Sequence, residues 1–237
     1  MNFTNKVVLI TGATGGLGTE VTRAFLDAGA AVAATHTGIE KFKELEAELK
    51  PEPGKLLGVE TNVLDSASVK QMADTMMEKF GRIDVLVNLV GGYLGGVSIA
   101  DMNEKQWDGM INLNLKSVFL VCKQVLPVMM EQKSGRIVNI SSGGGLKGAE
   151  GISAYGASKA GVINLTQTLA AEGKKYNITA NAVAPGIIDT PANRAAMPKA
   201  DFSKWVIPAS LAGVILFLSS DAAKDISGAL IPVFGKA

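Results

Sequence analysis

The sequence predicts an α/β fold, a doubly wound parallel sheet with helices on both faces. Three observations carry this reading. Short β-branched apolar runs alternate with longer segments of helical period, the pattern of βαβ units joined by right-handed crossovers. Several of the runs are apolar at successive positions, as parallel strands covered on both faces must be. The first run passes directly into a glycine-rich turn and then an amphipathic segment.

Seven strand candidates follow in order: Lys6–Ile10, Ala31–Thr35, Leu57–Glu60, Asp84–Leu89, Arg136–Ile140, Ile178–Ala184 and Ala229–Phe234. After the first, Leu17, Val21, Ala24, Phe25 and Ala28 recur at spacings of three and four, which marks one helix face. Glu40–Leu49 and Ala67–Phe80 are helix candidates whose many charges mark solvated faces. Ile111, Leu115, Val118, Phe119, Cys122, Val125, Leu126 and Met129 form a long apolar stripe, and Val162–Ala170 carries another. These two faces are core or subunit interface, and periodicity does not separate the two. Pro185–Pro208 is the least regular stretch, with four prolines, and is long for a structureless connection; such segments are often lids or binding loops. Gly91–Gly96 (GGYLGG) is a second flexible candidate. No repeat or linker divides the chain, so residues 1–237 read as one domain, with a substrate loop at about 187–207.

Composition narrows the chemistry. The 237 residues include 23 Lys+Arg against 22 Asp+Glu, and the near-neutral balance gives no general pull toward nucleic acid or anionic lipid. Hydrophobic residues make up 47% and charged ones 19%, a balance suited to a large buried core. No apolar run approaches the ~18 residues of a membrane span, and the start lacks the regions of a signal peptide, so a cytoplasmic setting is expected. The single cysteine, Cys122, closes no intrachain disulfide and reads as a small core residue within the apolar stripe. One cysteine and one histidine, His36, cannot build the usual zinc site, so no metal is expected. Any acid–base group is therefore something other than a histidine-centred triad.

The turn Thr11-Gly12-Ala13-Thr14-Gly15-Gly16-Leu17-Gly18 connects a strand to a helix. Glycines at 12, 16 and 18 permit a tight turn, close approach to a pyrophosphate and close helix–strand packing, while the helix start offers free N–H groups. Gly12, Thr14, Gly16, Leu17 and Gly18 are the predicted dinucleotide contacts. At the end of the second strand stands His36, where an acidic residue would hold the ribose hydroxyls of NAD. With no carboxylate beside it in sequence, the choice between NAD(H) and NADP(H) leans to NADP(H). The other reading of His36 is a surface histidine at a strand end.

Tyr155-Gly156-Ala157-Ser158-Lys159 opens a helical segment, and the four-residue spacing puts Tyr155 and Lys159 one turn apart on one face. A nearby ammonium favours a phenolate, so the pair can give or take a proton at a carbonyl or alcohol oxygen. Ser141 and Ser142 end the strand that precedes it. Asn112-Leu113-Asn114 is a polar notch in an apolar helix, and Asn is a poor mid-helix residue, which points to water binding or a kink at Asn114.

In this combination, TGATGGLG, Asn62-Val63, Asn88 with Gly91, Asn114, Ser142, YGASK and Pro185-Gly186, the chain resembles the short-chain dehydrogenase/reductase family over nearly its whole length. The resemblance implies a Rossmann-type sheet of seven parallel strands, a tetramer or dimer of identical chains, and a small carbonyl or alcohol substrate. It implies Tyr155 as proton donor or acceptor, Lys159 on the nicotinamide ribose, Ser142 on the substrate oxygen and Asn114 organising a water that relays protons to Lys159. It adds Asn62 at the adenine, Val63, Asn88, Gly91, Pro185 and Gly186 along the cofactor, and Ile188 and Thr190 near the carboxamide and phosphates. Two departures stand out: Asn88-Leu89-Val90-Gly91 replaces Asn-Asn-Ala-Gly, and Val233-Phe234-Gly235 lacks the acidic residue common before the last glycine. The loops Asp189–Trp205 and Gly91–Gly96 are similar to those of dihydropteridine reductases, with Tyr93 where that group stacks its substrate. Tyr93 is thus a substrate contact, in a carbonyl reductase or a pterin reductase, or simply a loop anchor. A nucleotide-sensing regulator without turnover is the remaining reading, set against the presence of all four of Asn114, Ser142, Tyr155 and Lys159.

Overall fold

The computed structural model describes residues 1–236. Seven strands, β1 (Val7–Thr11), β2 (Ala31–His36), β3 (Leu56–Glu60), β4 (Val85–Asn88), β5 (Gly135–Ile140), β6 (Ile178–Pro185) and β7 (Leu230–Val233), form one sheet. Its order is β3-β2-β1-β4-β5-β6-β7, with every pairing parallel. The strand candidates therefore stand within a residue or so at each end, because strands buried on both faces read as unbroken apolar runs. The order reverses between β1 and β4, and a doubly wound sheet opens its ligand crevice at that switch point, beyond the carboxyl ends of the strands.

Alternate residues of each strand serve different cores. Val7 and Leu9 pack with helices α3 (Ser66–Phe80), α5 (Ser117–Gln132) and α6 (Ser153–Gly173). Val8 and Ile10 pack on the other face with α1 (Gly16–Asp27), α2 (Ile39–Leu49) and α8 (Pro208–Ser219). Helix α8 has no counterpart among the sequence expectations: PASLAGVILFLS is apolar nearly all round, so it shows no helical period. β7 is an edge strand, and this is why it tolerates Pro232.

One sequence expectation needs correction, and one helix stands out by its length. Glu104–Gln132 is one continuous helix of 29 residues, long and apolar enough to cross a membrane by length and composition. Asn112, Asn114, Lys116 and Lys123 interrupt it, so it holds no unbroken apolar run of ~18 residues. Half of its most apolar window is buried inside the fold. The Pro185–Pro208 stretch, for its part, is built rather than irregular. It contains α7 (Pro191–Ala196), capped by the Thr190 hydroxyl, a short 3-10 turn at Phe202–Lys204, and a bridge between Ile188 and Val206.

Within the long helix the polar notch has a defined form. α4 (Glu104–Ile111) leads into a π-helical segment, Asn112–Lys116, before α5 begins. Here the Ser117 hydroxyl donates to the Leu113 carbonyl at 2.6 Å, and the widened turn pushes Asn114 inward, where it is fully buried. Such π-bulges gather at functional sites.

Candidate active site

The carboxyl ends of the strands bring together most of the residues singled out in the sequence. The β1–α1 turn fits a phosphate-bearing cofactor. Gly15 caps α1 with no side-chain bond and no acidic residue lies in the first turn, so the outward N–H groups are left for an anion. Gly12 has φ of +71°. A Cβ on Gly18 would stand 2.6 Å from the carbonyl carbon and oxygen of Ala13, and one on Gly16 would stand 3.0 Å from the Thr190 methyl. Only glycine lets the turn close this way, and Thr190 thereby folds the substrate segment over it. Thr14 and Leu17 are half-buried in the same turn.

His36 ends β2 and is 5% exposed, which corrects the surface reading. Its ring stacks on Phe42, centroids 5.3 Å apart, and Gly58 makes room, since a Cβ there would lie 2.7 Å from the Phe42 ring. The His36 Nδ1 has no hydrogen-bond partner among the described residues. Glu60 is its register partner on β3, a carboxylate that the sequence separation concealed. Asn62 follows β3 and its side-chain oxygen accepts from the Leu64 N–H at 3.0 Å, while Val63 is buried beside it.

Asn88 is turned into the sheet. Its amide donates to Asn139 at 2.9 Å and to the Cys122 sulfur at 3.5 Å, and Asn139 donates in turn to Thr166 at 2.9 Å. This network ties β4, β5 and α6 together beneath the crevice. Cys122 lies fully inside it, and burial pushes its thiol up to about 12.

The chemical end is assembled around Gly91 and Gly92. The Asn114 side chain accepts from the Gly92 N–H at 2.8 Å, donates to the Gly92 carbonyl at 3.1 Å and donates to the Ser158 hydroxyl at 3.0 Å. The Ser158 hydroxyl in turn donates a hydrogen bond to the Tyr155 backbone carbonyl at 2.7 Å. A Cβ on Gly91 would stand 2.9 Å from the Asn114 oxygen and 3.1 Å from the Lys159 nitrogen, so only glycine leaves that space free. Lys159 is 5% exposed and donates to the Ile140 carbonyl at 3.0 Å, while the Ser141 hydroxyl holds the Lys159 carbonyl at 2.8 Å. Ser158, Ser141 and Gly92 escaped sequence reasoning as parts of the site, although each adjoins a residue that did not. Pro185 is buried at the end of β6, Gly186 follows it, and the Ile188 carbonyl accepts from the Asn193 amide at 2.8 Å.

Burial sets the protonation of this site. It raises the Tyr155 phenol above its ordinary value; the Ser142 hydroxyl opposes this and Tyr93 adds to it. Burial also lowers the Lys159 ammonium to about 8. In the chain alone, burial is the largest influence on the Tyr155 phenol, ahead of its Ser142 and Tyr93 neighbours. Tyr93 packs edge-on to Tyr155, centroids 4.9 Å apart and rings at 76°.

Comparison with known proteins agrees with this arrangement. Residues 6–201 match the family profile described as short chain dehydrogenase. The chain is 40% identical to the 3-oxoacyl-[acyl-carrier-protein] reductase FabG of Thermotoga maritima, covering 99% of this chain and 98% of that one. It superposes on levodione reductase with a TM-score of 0.92 at 31% identity, covering 99% and 98% of the two chains. It superposes on ElxO with NADP bound at the same score and identity, covering 97% of each. Crevice, glycine turn and relatives together place the chain in the short-chain dehydrogenase/reductase family, as an NAD(P)-dependent oxidoreductase that moves hydride between the nicotinamide and a carbonyl or alcohol carbon.

Proposed function

We propose that Asn114, Ser142, Tyr155 and Lys159 are the catalytic set, with Tyr155 exchanging the proton at the substrate oxygen. The nicotinamide cofactor supplies or takes the hydride. Ser142 and Tyr155 hold the oxygen, with donors aimed where charge develops. Lys159 binds the nicotinamide ribose hydroxyls and, through Asn114, meets a proton path to solvent. The observation that carries this reading is the chain of contacts from Gly92 through Asn114 and Ser158 to the Tyr155 carbonyl, with Lys159 across Gly91. It fixes tyrosine, lysine and asparagine as one unit. Tyr155→Phe keeps the ring and removes the proton; turnover should vanish while cofactor affinity stays within about threefold by fluorescence titration. Undiminished turnover would sink the proton role.

The cofactor contacts follow the turn: Gly12, Thr14, Gly16, Leu17 and Gly18 at the pyrophosphate, Asn62 and Val63 toward the adenine, Gly91, Pro185, Gly186, Ile188 and Thr190 toward the nicotinamide. Asn88 supports this row from beneath through Asn139. NADP(H) is the preferred form. His36 offers no carboxylate of its own, and ElxO, with 31% identity, carries NADP. Separate titration with NADPH and NADH tests this, and Glu60→Gln should strengthen NADPH binding if Glu60 opposes a 2′-phosphate. Tighter NADH binding would reverse the preference.

The chain works in the cytoplasm on a small carbonyl or alcohol compound and assembles with copies of itself as a tetramer or dimer. Trp107 and Phe119 support assembly, lying 42% and 46% exposed on the long α4–α5 helix. Light scattering on the eluting protein reads the oligomer directly. A panel of ketones with a quinonoid dihydropterin reads the substrate class.

A further inference from the structure

Two aromatic side chains that the chemistry above leaves unused stand at the reacting end. Tyr93 touches Tyr155 through its edge, yet is itself 69% exposed. It sits in a loop with glycine at four of six positions, and a Cβ on Gly95 would strike its hydroxyl and lie 2.9 Å from its Cε1. The loop is therefore shaped to let this ring lie down. On the other side is Phe234, 38% exposed, in the C-terminal segment where the family's usual acidic residue is missing. Its Cε1 lies 3.2 Å from where a Cβ on Gly143 would stand, directly after Ser142. Gly144 continues the contact, since a Cβ there would stand 3.2 Å from the Tyr155 ring. Phe234, Gly143, Gly144, Tyr155 and Tyr93 thus follow one another from the C-terminal segment, past the residues after Ser142, to the Gly91–Gly96 loop.

Phe234 is not a loose end. The Gly186 N–H donates to the Val233 carbonyl at 2.9 Å, and the Lys236 N–H donates to the Lys204 carbonyl at 3.0 Å. Gly235 takes φ of +69° to press against Trp205. The cations of the neighbouring segment are already engaged: Arg194 bonds Asp189 at 2.5 and 2.7 Å and lies over the Phe202 ring, and Lys204 pairs with Asp201 at 3.8 Å. Large rings exposed beside buried catalytic groups gain by covering that area with another flat apolar surface, whereas a flexible chain must be ordered to do so.

We infer that Tyr93 and Phe234 are the two walls of the substrate site, and that they select carbonyl compounds bearing a ring next to the reacting carbon over open-chain acyl thioesters. This rests on the carbonyl chemistry proposed for Tyr155. The test compares kcat/KM for acetophenone and a cyclic diketone against 2-octanone and S-acetoacetyl-N-acetylcysteamine, using whichever of NADPH and NADH binds more tightly. Ring compounds should be preferred at least tenfold. Tyr93→Ala and Phe234→Ala should each cut that preference at least fivefold through KM, whereas Tyr93→Phe and Phe234→Tyr should hold it within twofold. If Phe234→Ala does not fold, Tyr93, on an exposed loop, carries the test alone. Preference for the thioester, or a preference unmoved by Tyr93→Ala, overturns the selectivity and leaves the proton chemistry standing. Failure to reduce any of the four overturns both.

Discussion

Lys159→Met should give a protein that is more stable and inactive. The two side chains are similar in length and volume, so the change chiefly removes a charge. In the folded chain Lys159 is pushed from 10.5 to about 8 by burial; at ~1.4 kcal/mol per tenfold change in proton affinity, keeping that ammonium charged at neutral pH costs about 3 kcal/mol. Against this, methionine leaves the Ile140 carbonyl without its 3.0 Å partner, a loss of about 1 kcal/mol. The net gain is about 2 kcal/mol, or roughly 4–8 °C in Tm for a chain of this size.

The pH dependence makes the reasoning specific. Between about pH 8 and 10.5 the unfolded chain holds a proton on Lys159 that the folded chain has released, so the wild type gains stability from this group as pH rises. Below about 8 both states hold the proton and the whole penalty is present. The advantage of Lys159→Met should therefore be full at pH 7 and shrink as pH climbs through that window. Urea unfolding of both proteins at pH 7 and pH 9.5 measures it, with steady-state turnover alongside, expected to fall at least about 100-fold. A variant less stable than the wild type at pH 7, or an advantage indifferent to pH, would refute the assignment of burial as the dominant force on Lys159.

Three further outcomes follow. Gly18→Ala places a methyl 2.6 Å from the Ala13 carbonyl, backbone that cannot swing aside; it should cost about 1–3 kcal/mol and weaken cofactor binding at least tenfold, and an unchanged affinity would show that the turn does not hold the cofactor. Asn114→Ala removes three buried hydrogen bonds, to Gly92 twice and Ser158 once, at about 1 kcal/mol each, so urea titration should show about 3 kcal/mol lost together with most of kcat. Cys122, with its thiol raised to about 12, should ignore Ellman's reagent in the native protein at pH 8 and react as one thiol in denaturant.

Most strands were legible because burial on two faces favours unbroken apolar runs, as in Val7–Ile10 and Val85–Val87; Asn139 sits within β5 only because Asn88 and Thr166 satisfy it. Helices α8 and α4 were not, for opposite reasons. Leu211, Ala212, Ile215 and Leu218 of α8 are buried, but its other face is apolar too, so no period marks it. α4 buries none of its residues, and only its capping box, Asn103 with Gln106, signals a helix start. At the site, spacing along one helix was enough to join Tyr155 to Lys159. It could not supply Gly92 as the partner of Asn114, the burial of His36 against Phe42, or Glu60 opposite His36, because those depend on which strands become neighbours. Phe234 and Gly143 stand 91 residues apart in sequence and meet only when β6 and β7 pair.

The sequence also left open which protonation state the chain favours, and here the structure changes the chemistry. Spacing alone suggests a lysine that makes tyrosine a better base. Packing does the opposite: the same burial that fixes Tyr155 and Lys159 in position drives both toward their neutral forms, the phenol upward and the ammonium downward. The neutral phenol is the form that gives a proton to a developing alkoxide. Taking a proton from an alcohol requires a phenolate in a site that disfavours one. Ser142 is the neighbour that works toward the phenolate, and Lys159 can help only while it remains charged, below about pH 8. In the chain alone, positive charge on Lys159 is held only at the cost of stability.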